Sequence, residues 1–345
     1  MLSFDSTLPF LRTNNGLFEI MTDLNITRFL PRTKDPALAI LILFIIIQVV
    51  AITASLLYPD SFRYLSDANI SVMLKSIPVL GVIALGVGIL MIAGEFDLSV
   101  GANYTFSGIV MATMVRDGAF VLIAVVIGLA LGIGIGLLNG YITIRFKIPS
   151  FIVTLGAMLF WQGMTLYYHG ATSLRFRPPE FFKSLMAGNI GLLQSSFLWY
   201  LGLTIVYWAI LHHHKLGNHF FAVGGNKEAA TAIGINPGRT KMIAFGIAGF
   251  SAAFAGILAA SRVGSIQPGQ GAGLELKAIA ACVIGGVALT GGRGSVLGIF
   301  LGAALILTIQ DILLLLRAPG FYLEIFVGIL IVGAAIFNQS IQKQD

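Results

Sequence analysis

The chain has little charge and a single cysteine. Asp, Glu, Lys and Arg make up only 10% of its 345 residues, against roughly 25% in an ordinary soluble domain. With so few groups to face water, a soluble globular enzyme and a disordered tail are both excluded. Cys282 has no second cysteine to pair with, which excludes a disulfide scaffold within the chain. No Gly-x-x-x-x-Gly-Lys-Ser/Thr occurs, and Gly291-Gly292-Arg293-Gly294 lacks the lysine and hydroxyl of a phosphate cradle. Metal-binding spacing is missing as well. His212, His213 and His214 are consecutive, so they fan around a helix instead of converging as an i, i+4 pair. No resident metal is expected, and no paired aspartates stand at the spacing a membrane-embedded transferase needs.

What the chain has is apolar length. Hydrophobic residues are 57% of the total, and the mean hydropathy is +0.91. Runs long enough to span a bilayer, which takes roughly 20 residues, fall near 37–57, 70–93, 98–115, 119–143, 150–168, 195–213, 241–261, 274–290, 295–316 and 322–337. The expected fold is all-α, a polytopic membrane protein of about ten helices, some short or interrupted. Run 274–290 is a candidate for a re-entrant segment. Residues 1–36 precede the membrane domain at 37–337, and 338–345 form a tail. Leu17, Ile20, Met21 and Leu24 stand at helical spacing, as in a short helix lying on the membrane surface.

The formal charge of +6 would suggest nucleic acid in a soluble protein. Here it reads as the Lys and Arg that orient a membrane protein, and no nucleic-acid partner is expected. With the N-terminus inside, twelve Lys and Arg fall on the inner side and eight on the outer, with Lys277 inside a run. Arg12, Arg28, Arg32 and Lys34 gather before the first span, where the positive-inside rule acts most strongly. Both termini are therefore expected in the cytoplasm.

Glycine recurs every fourth residue at Gly128, Gly132, Gly136 and Gly140, which places all four on one helix face for close helix packing. The string Gly132-Ile-Gly134-Ile-Gly136 is packing, not a dinucleotide loop, since no strand-to-helix turn surrounds it. Gly246, Gly249, Ala253 and Gly256 follow the same logic. Few ionisable residues lie within runs. Glu95 and Asp97 sit in a break at Gly94-Glu95-Phe96-Asp97-Leu98-Ser99, Glu275 and Lys277 at the start of the eighth run, and Asp311 toward the outer end of the ninth. Asp311 most resembles an embedded functional acid, with Gln310 and Arg317 as its expected partners.

Two connections are long. Residues 169–194 form an outer loop with a turn at Pro178-Pro179. Residues 212–240 form an inner loop in which Lys227 to Ile233 reads as a short helix, stopped by Gly234 and turned by Asn236-Pro237. A helix outside the bilayer is not needed for spanning and suits docking to another protein.

That loop resembles the one by which bacterial ABC-importer permeases engage their ATPase. The likeness extends in order through Phe96-Asp97-Leu98-Ser99-Val100-Gly101, Asn139-Gly140, Ile148 to Gly156, Ala222-Val223-Gly224-Gly225-Asn226, Ala278 to Gly286, and Gly291 to Gly298. Together these stretches resemble the ribose/xylose/autoinducer-2 branch of sugar permeases over roughly 70–335. The resemblance implies a bacterial inner-membrane permease that pairs with a second permease, the same or related. An ABC ATPase would sit below, a periplasmic sugar-binding protein above, and the lipid bilayer around. ATP and Mg would be held by the ATPase and no cofactor by this chain. It implies an ATPase-coupling role for Lys227, Glu228, Ala229, Ala230, Gly234, Ile235 and Asn236. Asp97 and Ser99 fall in the family's interrupted-helix motif, as pathway lining or as fasteners of the break. Asn103, Asn139, Thr154 and Gln162 are the further polar candidates for the solute path. Relatives often carry Gly-Gly-Ile before Asp-Leu-Ser, where Glu95 adds an acid, and often an acid at the position of Lys277. The competing expectation is an ion-coupled secondary carrier acting alone, dependent on Asp311.

Overall fold

The computed structural model describes residues 36–190, 193–322, 324–329 and 332–333. The surface helix expected at 17–24 and the tail at 338–345 lie outside them. The described residues form twelve helices and four two-residue strands. Seven helices are long and apolar enough to cross a membrane: α1 (Pro36–Leu57), α2 (Asp67–Ile92), α4 (Val121–Phe146), α5 (Ser150–His169), α7 (Ser195–His213), α10 (Pro237–Val263) and α12 (Val296–Leu315). The others are α3 (Val100–Arg116), α6 (Glu180–Ala187), α8 (Lys215–Gly225), α9 (Lys227–Ala232) and α11 (Leu274–Ile284).

For two of the three runs absent from these seven, the difference has a physical origin. Apolar content does not report where the backbone stops being helical. Run 98–115 becomes α3, 17 residues or about 26 Å, just short of the ~30 Å hydrocarbon core. Run 274–290 yields only the 11 residues of α11, about 16 Å and half a crossing. It ends at Gly285, and the next residue, Gly286, turns the chain at φ 85°. The tenth run is described only in part, with helical backbone at 324–329.

α2 and α10 form the buried centre, whereas α1, α5 and α7 expose most of their apolar surface. This is the arrangement a lipid solvent permits. Large apolar side chains gain nothing by hiding from acyl chains, so helices associate through close backbone approach instead. The glycine face of α4 meets α10 in that way. A Cβ on Gly132 would lie 2.3 Å from Cβ of Ala253, and one on Gly136 2.3 Å from the Phe245 carbonyl. On α10, a Cβ at Gly249 would lie 2.3 Å from the Gly132 carbonyl, and one at Gly256 2.0 Å from that of Tyr104. Gly134, on the opposite face of α4, has open space around it.

At the end of the bundle opposite α9, the 169–194 connection is more than a turn. β1 (Leu174–Arg175) pairs antiparallel with β4 (Ser265–Ile266), and β2 (Asn189–Ile190) with β3 (Leu193–Gln194). α6 starts directly after Pro179 and buries Phe182 and Met186. From β4 the chain returns into the bundle. The Gly271 N–H donates to Thr105 Oγ1 at 3.0 Å and Gln270 Nε2 to the Tyr104 hydroxyl at 3.0 Å. α11 therefore begins beside the first turn of α3, and two short helices start side by side inside the bundle.

Replacing Gly249 with alanine should lower stability by about 1–3 kcal/mol, because the contacted atom is backbone and cannot swing aside. Gly134→Ala should be neutral or stabilising by up to about 1 kcal/mol through helix propensity. Thermal denaturation of the two variants in the same nanodisc checks the contrast.

Candidate functional site

α2 stops at Ile92 and α3 starts at Val100, leaving a break inside the bundle. Gly94 turns it at φ 82°. Backbone groups here have no water to bond to, so side chains from other helices must satisfy them. The Phe96 N–H donates to Ser150 Oγ at 3.1 Å and the Leu98 N–H to Thr154 Oγ1 at 3.1 Å. Asp97 Oδ1 accepts from the Ser99 N–H at 2.8 Å and from the Ser99 hydroxyl at 2.6 Å. Asn139 Nδ2 donates to Ser99 Oγ at 2.8 Å and approaches Asp97 Oδ2 at 3.5 Å. The Asp97 carboxylate stands at the N-terminus of α3, where the helix dipole favours negative charge.

Four of the six polar candidates thus form one network: Asp97, Ser99, Asn139 and Thr154, all buried. Asn103 lies one turn further along α3. Its amide donates to the carbonyls of Gly132 (3.1 Å) and Gly249 (3.3 Å) and its Oδ1 accepts from Ser107, fastening α3 to the α4–α10 seam. Gln162 stands apart on α5, partly exposed. All four side chains of the network are buried, and in this conformation they brace the break.

A second junction was not legible in the sequence. Three separate glycine stretches cross at one point: Gly94 after α2, Gly224-Gly225 at the end of α8, and Gly291-Gly292 between α11 and α12. The Gly292 N–H donates to the Ile92 carbonyl at 2.9 Å. A Cβ on Gly224 would lie 1.9 Å from that same carbonyl, and one on Gly291 2.8 Å from the Gly94 Cα. The only sequence signal was glycine itself, in motifs that gave no hint of being neighbours.

α9 grows from this junction after one residue, Asn226, whose side chain accepts from the Ala229 N–H at 2.9 Å. Gly234 ends the turn at φ 86°, and Asn236 caps α10 through the Arg239 N–H at 3.0 Å. Lys227, Glu228, Ala229, Gly234 and Asn236 are exposed, Ile235 is half-buried, and Ala230 is the buried anchor. Ile233, not among the residues singled out, is the most prominent apolar group here at 75% exposed. Its position directly before a helix-ending glycine was the available clue.

The charged residues resolve individually. Glu95 pairs with Lys241 at 2.5 Å, both largely buried. Asp311 accepts from Asn69 Nδ2 at 2.8 Å, in place of the partners Gln310 and Arg317 expected for it. Asn69 lies 242 residues away in sequence and so was out of reach of a local reading. Glu275 Oε1 accepts from the Gly273 N–H at its own helix start. His214 caps α8 through the Leu216 N–H, and His213 lies against Trp208.

Family comparison decides what carries this geometry. Residues 69–335 match the model of the branched-chain amino acid transport system / permease component family. The chain belongs to that permease family. The matched region contains the helix break, the glycine junction and α9. Among curated proteins, this permease is 31% identical over 300 residues to the autoinducer 2 import system permease protein LsrC of Salmonella typhimurium, covering 84% of this chain and 83% of the relative. It is 33% identical over 292 residues to the L-arabinose ABC transporter permease protein AraH of Azospirillum brasilense, covering 85% of each. To LsrC of Escherichia coli it is 30% identical over 276 residues, covering 80% of each. No solved structure matches the permease.

Asp97→Ala in this permease should cost about 2–3 kcal/mol, since it strands the Ser99 N–H and hydroxyl in a buried site. Gln162→Leu should change stability by less than about 0.5 kcal/mol. Melting curves of the purified variants, compared with the parent, test the distinction.

Proposed function

We propose that this permease is the translocation subunit of an ATP-driven importer for a monosaccharide or a related small solute such as autoinducer-2, in the bacterial inner membrane. The names of its relatives support the solute class. The observation that carries the coupling assignment is α9, a capped helix with its outer face exposed, which grows from the end of α8 where Gly224-Gly225 sits against backbone from two other parts of the bundle. A push on α9 is delivered through rigid glycine contacts to the end of α2 and to the 285–295 loop, both of which adjoin the break at 94–99. ATP and Mg belong to a separate ATPase, and this chain forms and breaks no covalent bond. Solute moves when two permeases, joined as like or related copies, alternate between facing a periplasmic binding protein and facing the cytoplasm. In this reading Lys227, Glu228, Ala229, Gly234, Asn236 and the apolar tip Ile233 meet the ATPase, while Ala230 and Ile235 hold the helix in place. The Asp97–Ser99–Asn139–Thr154 network stabilises the helix break and changes partners during the cycle.

Glu228→Lys combined with Ile233→Asp should reduce co-purification of the ATPase subunit at least about 10-fold, a loss of about 1.4 kcal/mol or more. Both side chains are exposed, so the thermal midpoint of the permease itself should not fall. Unchanged capture would overturn the docking assignment.

The ion-coupled reading is disfavoured, because the relatives are named as import-system and ABC-transporter permeases and Asp311 is engaged with Asn69 near one end of a helix. Proteoliposomes holding the permease alone should accumulate no solute under a proton or sodium gradient, and Asp311→Asn should leave ATP-driven uptake in the complete importer intact. Gradient-driven accumulation by the lone chain would refute the proposal.

A further inference from the structure

Of the ion pairs Arg116–Asp117 and Glu95–Lys241, only the second is withdrawn from solvent. Desolvating two charges offsets most of their attraction, so a buried pair adds little net stability, while removal of one partner is costly. What the pair does is join two particular places. Glu95 follows Gly94 in the helix break, and Lys241 stands one turn into α10. Other residues of the break are fastened elsewhere, Phe96 and Leu98 to α5 and Ser99 to α4. Glu95 adds α10.

Gly94 and Glu95 meet the lever from both of its sides. Ahead of α9, the end of α8 lies on Gly94, where a Cβ would be 3.4 Å from the Gly224 Cα. Asn226, just beyond, caps α9. Behind α9 the chain turns at Gly234, takes Asn236 as the cap of α10 and reaches Lys241 one turn later. The stretch 224–241 is therefore a loop closed on two adjacent residues of the break. The first closure is backbone on backbone. The second is not, because Glu95 and Lys241 border a cavity of about 310 Å³ that Lys147 and Lys227 also line. Beside such a gap a charge-assisted hydrogen bond supplies the directional link that packing does not. Glu95 is the only acid lining the cavity, and of its three lysines it binds the one on α10.

We propose that Glu95 and Lys241 are positioning residues for transport, a tie through which displacement of α9 reaches the helix break from the α10 side. With both closures intact, α9 cannot shift without carrying residues 94 and 95, which lead directly into Asp97 and its brace. With the pair broken, the lever keeps its contact at Gly94 while the α10 side slips, and movement driven by nucleotide is not passed on. This inference rests on the reading of α9 as the lever met by an ATPase.

The test uses the complete importer complex in nanodiscs, nucleotide-free or trapped with ATP and vanadate. It reads amide hydrogen exchange at 94–99 by mass spectrometry, so the solute need not be known. Trapping should change exchange there in the parent. Glu95→Gln, Lys241→Met and the uncharged double Glu95→Gln/Lys241→Met should each shrink that change at least about 5-fold, and the charge-exchanged double Glu95→Lys/Lys241→Glu should restore it to within about 2-fold of the parent. The doubles keep the test decisive where a single variant, left with a lone charge, folds poorly. Capture of the ATPase should be unchanged throughout, since neither residue belongs to α9. The tie is overturned by a parent-like response in the uncharged double, by no response at 94–99 in the parent, or by loss of capture in the uncharged double. It is also overturned if the charge-exchanged double has the parent's thermal midpoint yet remains as impaired as the uncharged one. Failure of the lever reading is seen separately, as ATPase capture that survives Glu228→Lys with Ile233→Asp.

Discussion

Close approach of backbone to backbone is the constraint on which this permease depends. In a bilayer, burying leucine against leucine gains little over leaving it in lipid, so specificity must come from shape and from polar satisfaction. The α4–α10 seam meets the first demand with glycines and alanines whose absent side chains let one helix lie on another. Asn103 then takes advantage of that closeness. Its amide reaches a carbonyl on each of two neighbouring helices, which only thin helices can present at 3.1 and 3.3 Å.

The same constraint explains why the helix break can exist. An interruption between Ile92 and Val100 exposes N–H groups in a region without water, and each would be costly if unpaired. Ser150 and Thr154 on α5 and Asp97 within the break accept from those groups, and Asn139 on α4 donates to Ser99 Oγ, so the break holds only while the surrounding helices are in place. A conformational change that moves one of those elements must therefore renegotiate the network. The glycine crossing at Gly94, Gly224 and Gly292 supplies a stiff contact for such a movement, because backbone atoms at van der Waals limits transmit displacement without the slack of long side chains.

Much of the organisation was legible in the sequence because it is written in local terms. The short helix at 227–232, its glycine stop at Gly234 and the asparagine that starts α10 follow from residue chemistry over a few positions. The four-residue glycine period on α4 is likewise local. What escaped is non-local by nature. The partner of Asp311 is 242 residues distant, the glycine stretches that cross are separated by most of the chain, and Gln162 resembles the other polar candidates until its helix is placed at the periphery. Span count was legible only in part for a related reason: an apolar run states that a segment belongs in lipid or in the core, and says nothing of a Gly-Gly pair that stops the helix halfway.

By itself, then, the order of residues determined the solvent, the all-helical class, the glycine-faced helices and the exposed helix of the long loop, since hydropathy and capping act over a turn or two. Tertiary structure alone decided that Asp97, Ser99, Asn139 and Thr154 form one brace, that α11 is a half-length helix starting beside α3, and that the end of α8, from which α9 grows, sits on α2. Each of those outcomes depends on which backbones can come within contact of each other, a property of helices already packed and not of any single stretch of chain.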